Sequence, residues 1–476
     1  MLVPPPDDHD CGWKAYAAAQ EAKLLEVTQK LEALERRFLA KKSERRKSKK
    51  LPPPIVAKKD AAETQRKRKE NIAQRDVRVE VETCNIPVPE AQARACPDCG
   101  SDKLRKVGKG KPSTLWEYVQ PYFRKRIFLR ETLSCRCGHI VTAPAPDRVG
   151  EKTRYAPSFI AHLIVNKCGD TNPQYRLAKT YKNLKIAVSR STMCSLIHRG
   201  AEELRPLYDA IVKQVPEAPD VHADETSARQ QDLDKRAFVW VFVTPDYVAY
   251  RYATTRSGSV PESMLGESKG RLVVDQYTGY NKVTGTGRRK RAGCLAHARR
   301  KIFEQSEHPE TTEALDLIGE IYKIEAEVKA AGIEGTDAHL QVRKEKSRPL
   351  FARLLCWGRR QRRAFPPRSG MGKAIRYLVK YFREHGMFLR YATIPPDNNI
   401  AEASLRRIAL GRSNYLFFGN ENAGDNFAVL YTLVATCEKH GVNAIEYLQD
   451  VLIRVQSHPA SQIEELLPHR WKPPDG

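Results

Sequence analysis

Three carboxylates stand in settings suited to metal-assisted chemistry on phosphate esters. They are Asp224 in His222-Ala223-Asp224-Glu225-Thr226, Asp275 in Val273-Val274-Asp275-Gln276-Tyr277, and Glu402 in Asp397-Asn398-Asn399-Ile400-Ala401-Glu402. Carboxylates are hard oxygen ligands for Mg²⁺ or Mn²⁺, ions that keep waters for reaction. Two such ions about 4 Å apart serve an attacking and a leaving oxygen, so three converging acids suit phosphodiester cleavage. Each acid also has a plain structural explanation: Asp224 as a loop charge, Asp275 as a turn cap, Glu402 as the helical partner of Arg406. Glu225 and Asp397 are adjacent carboxylates that compete for the same roles.

Convergence requires elements that carry the acids to one place. Ala237 to Val243 is a continuous apolar run of strand length, and a turn at Thr244-Pro245-Asp246 leads into Tyr247 to Tyr252, the pattern of an antiparallel hairpin. Arg271 to Val274 predicts a short buried strand ending on Asp275, and Gly293 to His297 predicts another that feeds a helix from Ala298. Residues 218–302 therefore form the first part of a mixed α/β core, with three antiparallel strands followed by strand and helix alternation. Residues 303–392 break that rhythm with helical, Arg-rich sequence around Trp357, and are expected to be an insertion. The core resumes over 393–456. There Asp397 is the predicted helix cap, and Ala401, Leu405 and Ile408 make one apolar stripe. Residues 457–476 are a C-terminal tail.

Upstream, residues 13–40 predict a helix with Leu24, Leu31 and Phe38 at heptad spacing and Val27 and Leu34 between them, the seam of a short coiled coil. Residues 41–83 form a basic, disordered linker. From Arg36 to Glu70 there are 15 Lys and Arg against 4 Asp and Glu, which supplies 11 of the 25 excess positive charges. Within 84–147, Cys96-Pro97-Asp98-Cys99-Gly100 is a zinc knuckle, and Cys135-Arg136-Cys137-Gly138-His139 is a tighter C-x-C pair. Together they predict a structural Zn²⁺ ribbon held by Cys96, Cys99, Cys135 and Cys137. Residues 150–215 read as helical. Gln174 to Tyr181, a turn, and a second helix capped by Ser189 or Ser191 have the rhythm of a helix-turn-helix, with Arg190, His198 and Arg199 expected to be exposed. Plain helix-hairpin packing fits the same pattern.

The whole chain of 476 residues carries a net charge of +25, which selects nucleic acid as partner ahead of an anionic membrane. No run of about 18 apolar residues predicts a membrane span, and the N-terminal residues lack the apolar core of a signal peptide. Eleven cysteines, an odd number spread through a long chain, argue against a disulfide framework and for a cytoplasmic protein.

Four motifs occur in order: Asp224-Glu225-Thr226; Asp275-Gln276-Tyr277-Thr278-Gly279-Tyr280-Asn281; Ala292-Gly293-Cys294-Leu295-Ala296-His297-Ala298-Arg299-Arg300-Lys301; and Asp397 to Glu402 continuing through Gly411-Arg412-Ser413-Asn414-Tyr415. With the leucine-rich helix, the cysteine pairs and the closing Glu464-Glu465-Leu466-Leu467-Pro468, they resemble the insertion sequence 66 family of bacterial DDE transposases. The resemblance implies an RNase H-like core with a helical insertion, and a triad at Asp224, Asp275 and Glu402 holding two Mg²⁺ or Mn²⁺ ions. It also implies hydrolysis at the element's ends, followed by attack of the freed 3′-hydroxyl on target DNA. Arg190, Arg199, Arg406 and Arg412 are the expected DNA contacts. The implied partners are terminal inverted repeats and target DNA, further copies of the chain in a synaptic complex, and small accessory transposition proteins, with the enzyme nucleoid-associated. The chain departs from the family's usual residues at Gln276, where glycine is common, and at Ala403, where arginine is common. Two other readings stay open: a non-catalytic zinc-ribbon DNA-binding regulator, and an RNase H-like structure-selective nuclease that cuts without joining.

Overall fold

The computed structural model describes Phe123, Ile127, residues 131–134, 140–142 and 146–150, and residues 153–473 apart from 185, 234 and 235. The leucine-rich helix, the basic linker and the cysteines Cys96, Cys99, Cys135 and Cys137 lie outside the described residues. Strands β1 (Thr132–Ser134) and β2 (Ile140–Thr142) pair antiparallel on either side of the second cysteine pair.

Among the described residues, four helices precede the main sheet: α1 (Pro157–Cys168), α2 (Gln174–Asn183), α3 (Arg190–Glu203) and α4 (Arg205–Gln214). Ser189 caps α3, its side chain accepting from the Thr192 N–H at 3.0 Å. Arg190 is exposed as expected, but His198 and Arg199 are half-buried. The reason is that α3 is packed rather than free: His198 Nδ1 lies 3.1 Å from the Asn426 amide, and Arg199 runs alongside Gly150.

The sheet has five strands: β3 (Asp220–Ala228), β4 (Ala237–Val243), β5 (Val248–Ala253), β6 (Arg271–Val274) and β7 (Lys290–Gly293). Their order is β5-β4-β3-β6-β7, with β3, β4 and β5 antiparallel and β6 and β7 parallel to β3. The strand expected over Gly293 to His297 is displaced: β7 ends at Gly293, and helix α6 (Leu295–Phe303) follows a helix α5 (Ser259–Leu265) that lies between β5 and β6. The short apolar stretch after Gly293 is buried by the helix itself, with Leu295, Ala298 and Ile302 facing inward.

The insertion is helical throughout: α7 (Thr311–Ala330), α8 (Asp337–Val342), a π-helical turn over Arg343–Ser347, α9 (Arg348–Ala364), α10 (Gly370–Lys380) and α11 (Phe382–His385). Its core, with Trp357 and Phe388 buried, takes in Val273 of β6 and Ala292 of β7, so the insertion is seated on the sheet. Arg343, 1% exposed, pairs with Glu325 and donates to the carbonyls of Phe388, Tyr391 and Ile394. These contacts tie the insertion to the segment that re-enters the core. Buried charge is tolerable there because every partner is satisfied.

Three helices close the fold: α12 (Asn399–Tyr415), α13 (Glu421–Lys439) and α14 (Ala444–Arg454). Ala401, Leu405 and Ile408 of α12 are buried, as their spacing predicts. The cap position is Asn398, one residue beyond the predicted Asp397. Helix α13 covers the β5 edge, where Thr432 Oγ1 accepts from the Tyr250 N–H at 2.9 Å and Thr436 Oγ1 from the Val248 N–H at 3.3 Å. An edge strand whose donors are satisfied does not template further pairing.

Candidate active site

Strand alternation decides which carboxylates meet. His222 pairs with Val273 across β3 and β6, so Asp224 and Asp275, each two residues further on, emerge on the same face. Asp224 is mid-strand, opposite Val241, rather than in a loop, and Asp275 is the first residue beyond β6. The Asp224 carboxylate accepts from the Glu225 N–H at 2.9 Å, and that of Asp275 from the Tyr277 N–H at 2.8 Å. Helix α12 brings Glu402 to that face in its first turn, and the Tyr250 hydroxyl donates to the Ser404 carbonyl at 2.6 Å.

A lock that the sequence does not advertise sets the helix position. Asn398, 1% exposed, donates through Nδ2 to the Ala223 carbonyl at 2.8 Å. Its Oδ1 lies 3.1 Å from His222 Nδ1, and its N–H points at Cys294 Sγ at 3.3 Å. The Leu295 N–H adds a bond to the Pro396 carbonyl at 2.8 Å. Only an amide with both donor and acceptor can serve these two partners at once.

The electrostatics register the convergence. Burial pushes the Asp224 carboxyl up to about 7, and the negative charges of Glu225, Asp275 and Glu402 push the same way. Glu225 sits on the opposite face of β3 and is already engaged: Tyr280 OH donates to it at 2.6 Å and Arg256 Nε at 2.9 Å. Asp397 is likewise occupied, accepting from the Asn399 N–H at 3.0 Å and its side-chain amide at 2.8 Å. Both competing carboxylates are therefore held elsewhere.

Glu402 does not pair with Arg406. Its neighbours come from α6: His297 Nδ1 at 3.7 Å and Arg300 at 3.8 Å. Glu402 Oε1 and His297 Nδ1 are buried with no hydrogen-bond partner among the described residues, as is Gln276 Nε2. Orphaned polar atoms around a concentration of like charge are what a cation and its waters would satisfy. The hard oxygen donors of Asp224, Asp275 and Glu402 fit Mg²⁺ or Mn²⁺. Donor atoms of Cys294, His297 and Glu402 also lie within 4.8 Å of one another. Burial pushes the Cys294 thiol up to about 12, and it accepts the Asn398 N–H, which suits a packed anchor.

Of the expected DNA contacts outside the helical segment, Arg406 and Arg412 are both exposed on α12. Arg412 donates to Thr226 Oγ1 at 3.1 Å and the Ser227 carbonyl at 2.6 Å, next to Asp224 along β3. His297 is an active-site neighbour, as its motif suggests, whereas Arg300 and Asn398 are site residues that the motifs do not assign. The i, i+3 spacing of His297 and Arg300 on one helix was the available signal.

Fold and site together define a mixed α/β protein with an acidic cluster on one face of its central sheet. The chain matches the family described as Transposase IS66 family over residues 152–426, and the IS66 C-terminal element over residues 432–469. It is 30% identical over 408 residues to uncharacterized protein y4hP of Sinorhizobium fredii (strain NBRC 101917 / NGR234), covering 79% of this chain and 73% of that one. It is 31% identical over 410 residues to uncharacterized protein y4jD of the same organism, covering 80% and 79%. The chain belongs to the IS66 family of transposases.

Proposed function

We propose that this chain is an active DDE transposase with an RNase H-like core, using Asp224, Asp275 and Glu402 as its acidic triad. The observation that carries the reading is the β3–β6 register, which sets Asp224 and Asp275 on one face, where Glu402 presents a buried Oε1 without a hydrogen-bond partner among the described residues. Burial, and then the charges of Glu225, Asp275 and Glu402, raise the Asp224 carboxyl there. Three carboxylates gathered at that cost suit a site completed by cations. The strand order, with β3 central and β6 parallel to it, supports the RNase H-like layout.

In the first step a water oxygen bonds to the phosphorus at the element's end while the bond to the 3′-oxygen breaks, leaving a 3′-hydroxyl and a 5′-phosphate. In the second, that 3′-oxygen bonds to a target phosphorus as the bond to the target 3′-oxygen breaks. The proton lost by the attacking hydroxyl is balanced by one taken up by the leaving oxygen, which departs as a 3′-hydroxyl. Two Mg²⁺ or Mn²⁺ ions, when bound, would neutralise charge on the attacking and leaving oxygens. Asp224 and Asp275 would hold them from the sheet and Glu402 from the helix. Arg300, beside Glu402, and the exposed Arg406 would meet the DNA backbone. Arg190 would extend that contact across the helical segment, with the half-buried Arg199 supporting it. The Cys96, Cys99, Cys135 and Cys137 ribbon would carry Zn²⁺ and contribute to end recognition.

A pre-nicked element end with a free 3′-hydroxyl tests the reading. Mg²⁺-dependent joining to target DNA is expected for the intact chain. Asp224→Asn, Asp275→Asn and Glu402→Gln should each bind DNA without joining it. A protein that nicks but never joins is the structure-selective nuclease instead, and DNA binding with neither activity describes the regulator.

A further inference from the structure

Beyond the acidic face, a cavity of about 580 Å³ opens between the helical segment and the loop after α12. Its lining joins two cations, Lys167 and Arg190, to the rings of Tyr175, Phe417 and Phe427, with the imidazole of His198, whose charged form burial disfavours. That volume is in the range of small-ligand sites.

Lys167 is 5% exposed, and its Nζ sits 3.5 Å from the centre of the Tyr415 ring. No carboxylate among the described residues forms an ion pair with it; burial lowers its ammonium to about 8, and the Tyr415 and Phe427 rings are what face its charge. A buried ammonium facing a cavity without a counter-charge calls for an anion.

The loop supplies the complementary half. Leu416 is held at φ +68°, a conformation costly for a branched side chain. Leu416 and Phe417 are 60% and 40% exposed, and Tyr175 across the cavity is 53% exposed. The loop is anchored just beyond them: Phe418 is buried, its N–H donates to the Arg229 carbonyl at 2.9 Å, and its carbonyl accepts from the Gln231 N–H at 2.9 Å. Two large apolar side chains are therefore presented to solvent from a strained but fixed backbone.

We propose that this cavity accommodates an unstacked nucleotide of a DNA strand, with its base against Phe417 and Tyr175 and its phosphate toward Lys167 and Arg190. Every base offers a π-face, so such a site is tolerant of sequence. The inference builds on the DNA-transposition reading. Tyr415 lies thirteen residues beyond Glu402 on the same helix, a rise of about 20 Å.

Fluorescence anisotropy of the full chain without added Mg²⁺ or Mn²⁺, with a short single-stranded oligothymidine and a duplex of equal length, tests the site with the chemistry switched off. Phe417→Ala and Tyr175→Ala should weaken oligothymidine binding at least about tenfold while leaving duplex binding little changed. Leu416→Gly, which relieves the positive φ, should do the same without loss of fold. Unaltered oligothymidine affinity in Phe417→Ala, or an equal fall for both probes, overturns the proposal. Intact protein that binds duplex but no oligothymidine overturns it and leaves the transposase reading standing. Binding of neither probe removes both.

Discussion

The side-chain amide of Asn398 donates to the carbonyl of Ala223 at 2.8 Å, across 175 residues of sequence. That one bond joins the entrance of the Glu402 helix to the strand residue beside Asp224. The distance between two candidate metal ligands is thus set by a residue that touches neither metal nor substrate.

Asn398→Ala should cost about 1–3 kcal/mol, because the Ala223 carbonyl and His222 lose a buried partner together. Chemical denaturation checks this. Misplacing Glu402 should also lower Mg²⁺-dependent strand transfer by about 10–100-fold, more than the stability loss explains at saturating protein.

The raised Asp224 carboxyl makes metal-free stability depend on pH. Its folded value is about 7 against an ordinary 3.8. Between those values the folded protein keeps a proton that the unfolded chain has released, so stability falls as pH rises through that window. Thermal melts in EDTA should show this slope in the intact chain. Asp224→Asn should flatten it and melt higher at neutral pH.

Adding Mg²⁺ to the intact chain should raise its melting temperature at neutral pH, since ligand binding to the folded state stabilises it by mass action. The rise should be small in Asp224→Asn and Glu402→Gln. An equal Mg²⁺ effect in all three proteins would remove these carboxylates as ligands.

Glu225 separates a genuine ligand from its neighbour. Its carboxylate is taken by Tyr280 and Arg256 on the far face of the strand. Glu225→Gln should retain strand transfer where Asp224→Asn loses it, measured on the same pre-nicked end.

Zinc is the readout for the cysteine ribbon. Elemental analysis of purified protein should find Zn²⁺, and Cys96→Ser should lose it while the melting behaviour of the sheet core is kept. Absence of zinc in the intact chain would remove the ribbon.

Local patterning carried much of this architecture. The apolar run at Ala237 to Val243, the short Arg271 to Val274 strand and the Ala401, Leu405 and Ile408 stripe all lie where their periodicity predicts. A side chain's alternation or helical phase is fixed by its near neighbours, so it is legible without the fold. The helical insertion was legible for the same reason. Element ends were less so: β7 stops at Gly293, and the α12 cap is Asn398, because tertiary bonds through Cys294 and Pro396 decide those boundaries.

The candidate acids were visible as residue types, but their partners were not. Glu402 faces His297 and Arg300 instead of Arg406, Glu225 turns away from Asp224, and Asp397 is spent on the helix entrance. Each outcome rests on the register of β3 against β6 or on a contact between segments far apart in the chain. Residue types and local periodicity name the available acids and the elements they ride on. That Asp224, Asp275 and Glu402 share a face follows from strand register and from contacts between distant segments. Mutual repulsion and a shared field require proximity, and proximity is set by pairing that no local pattern encodes.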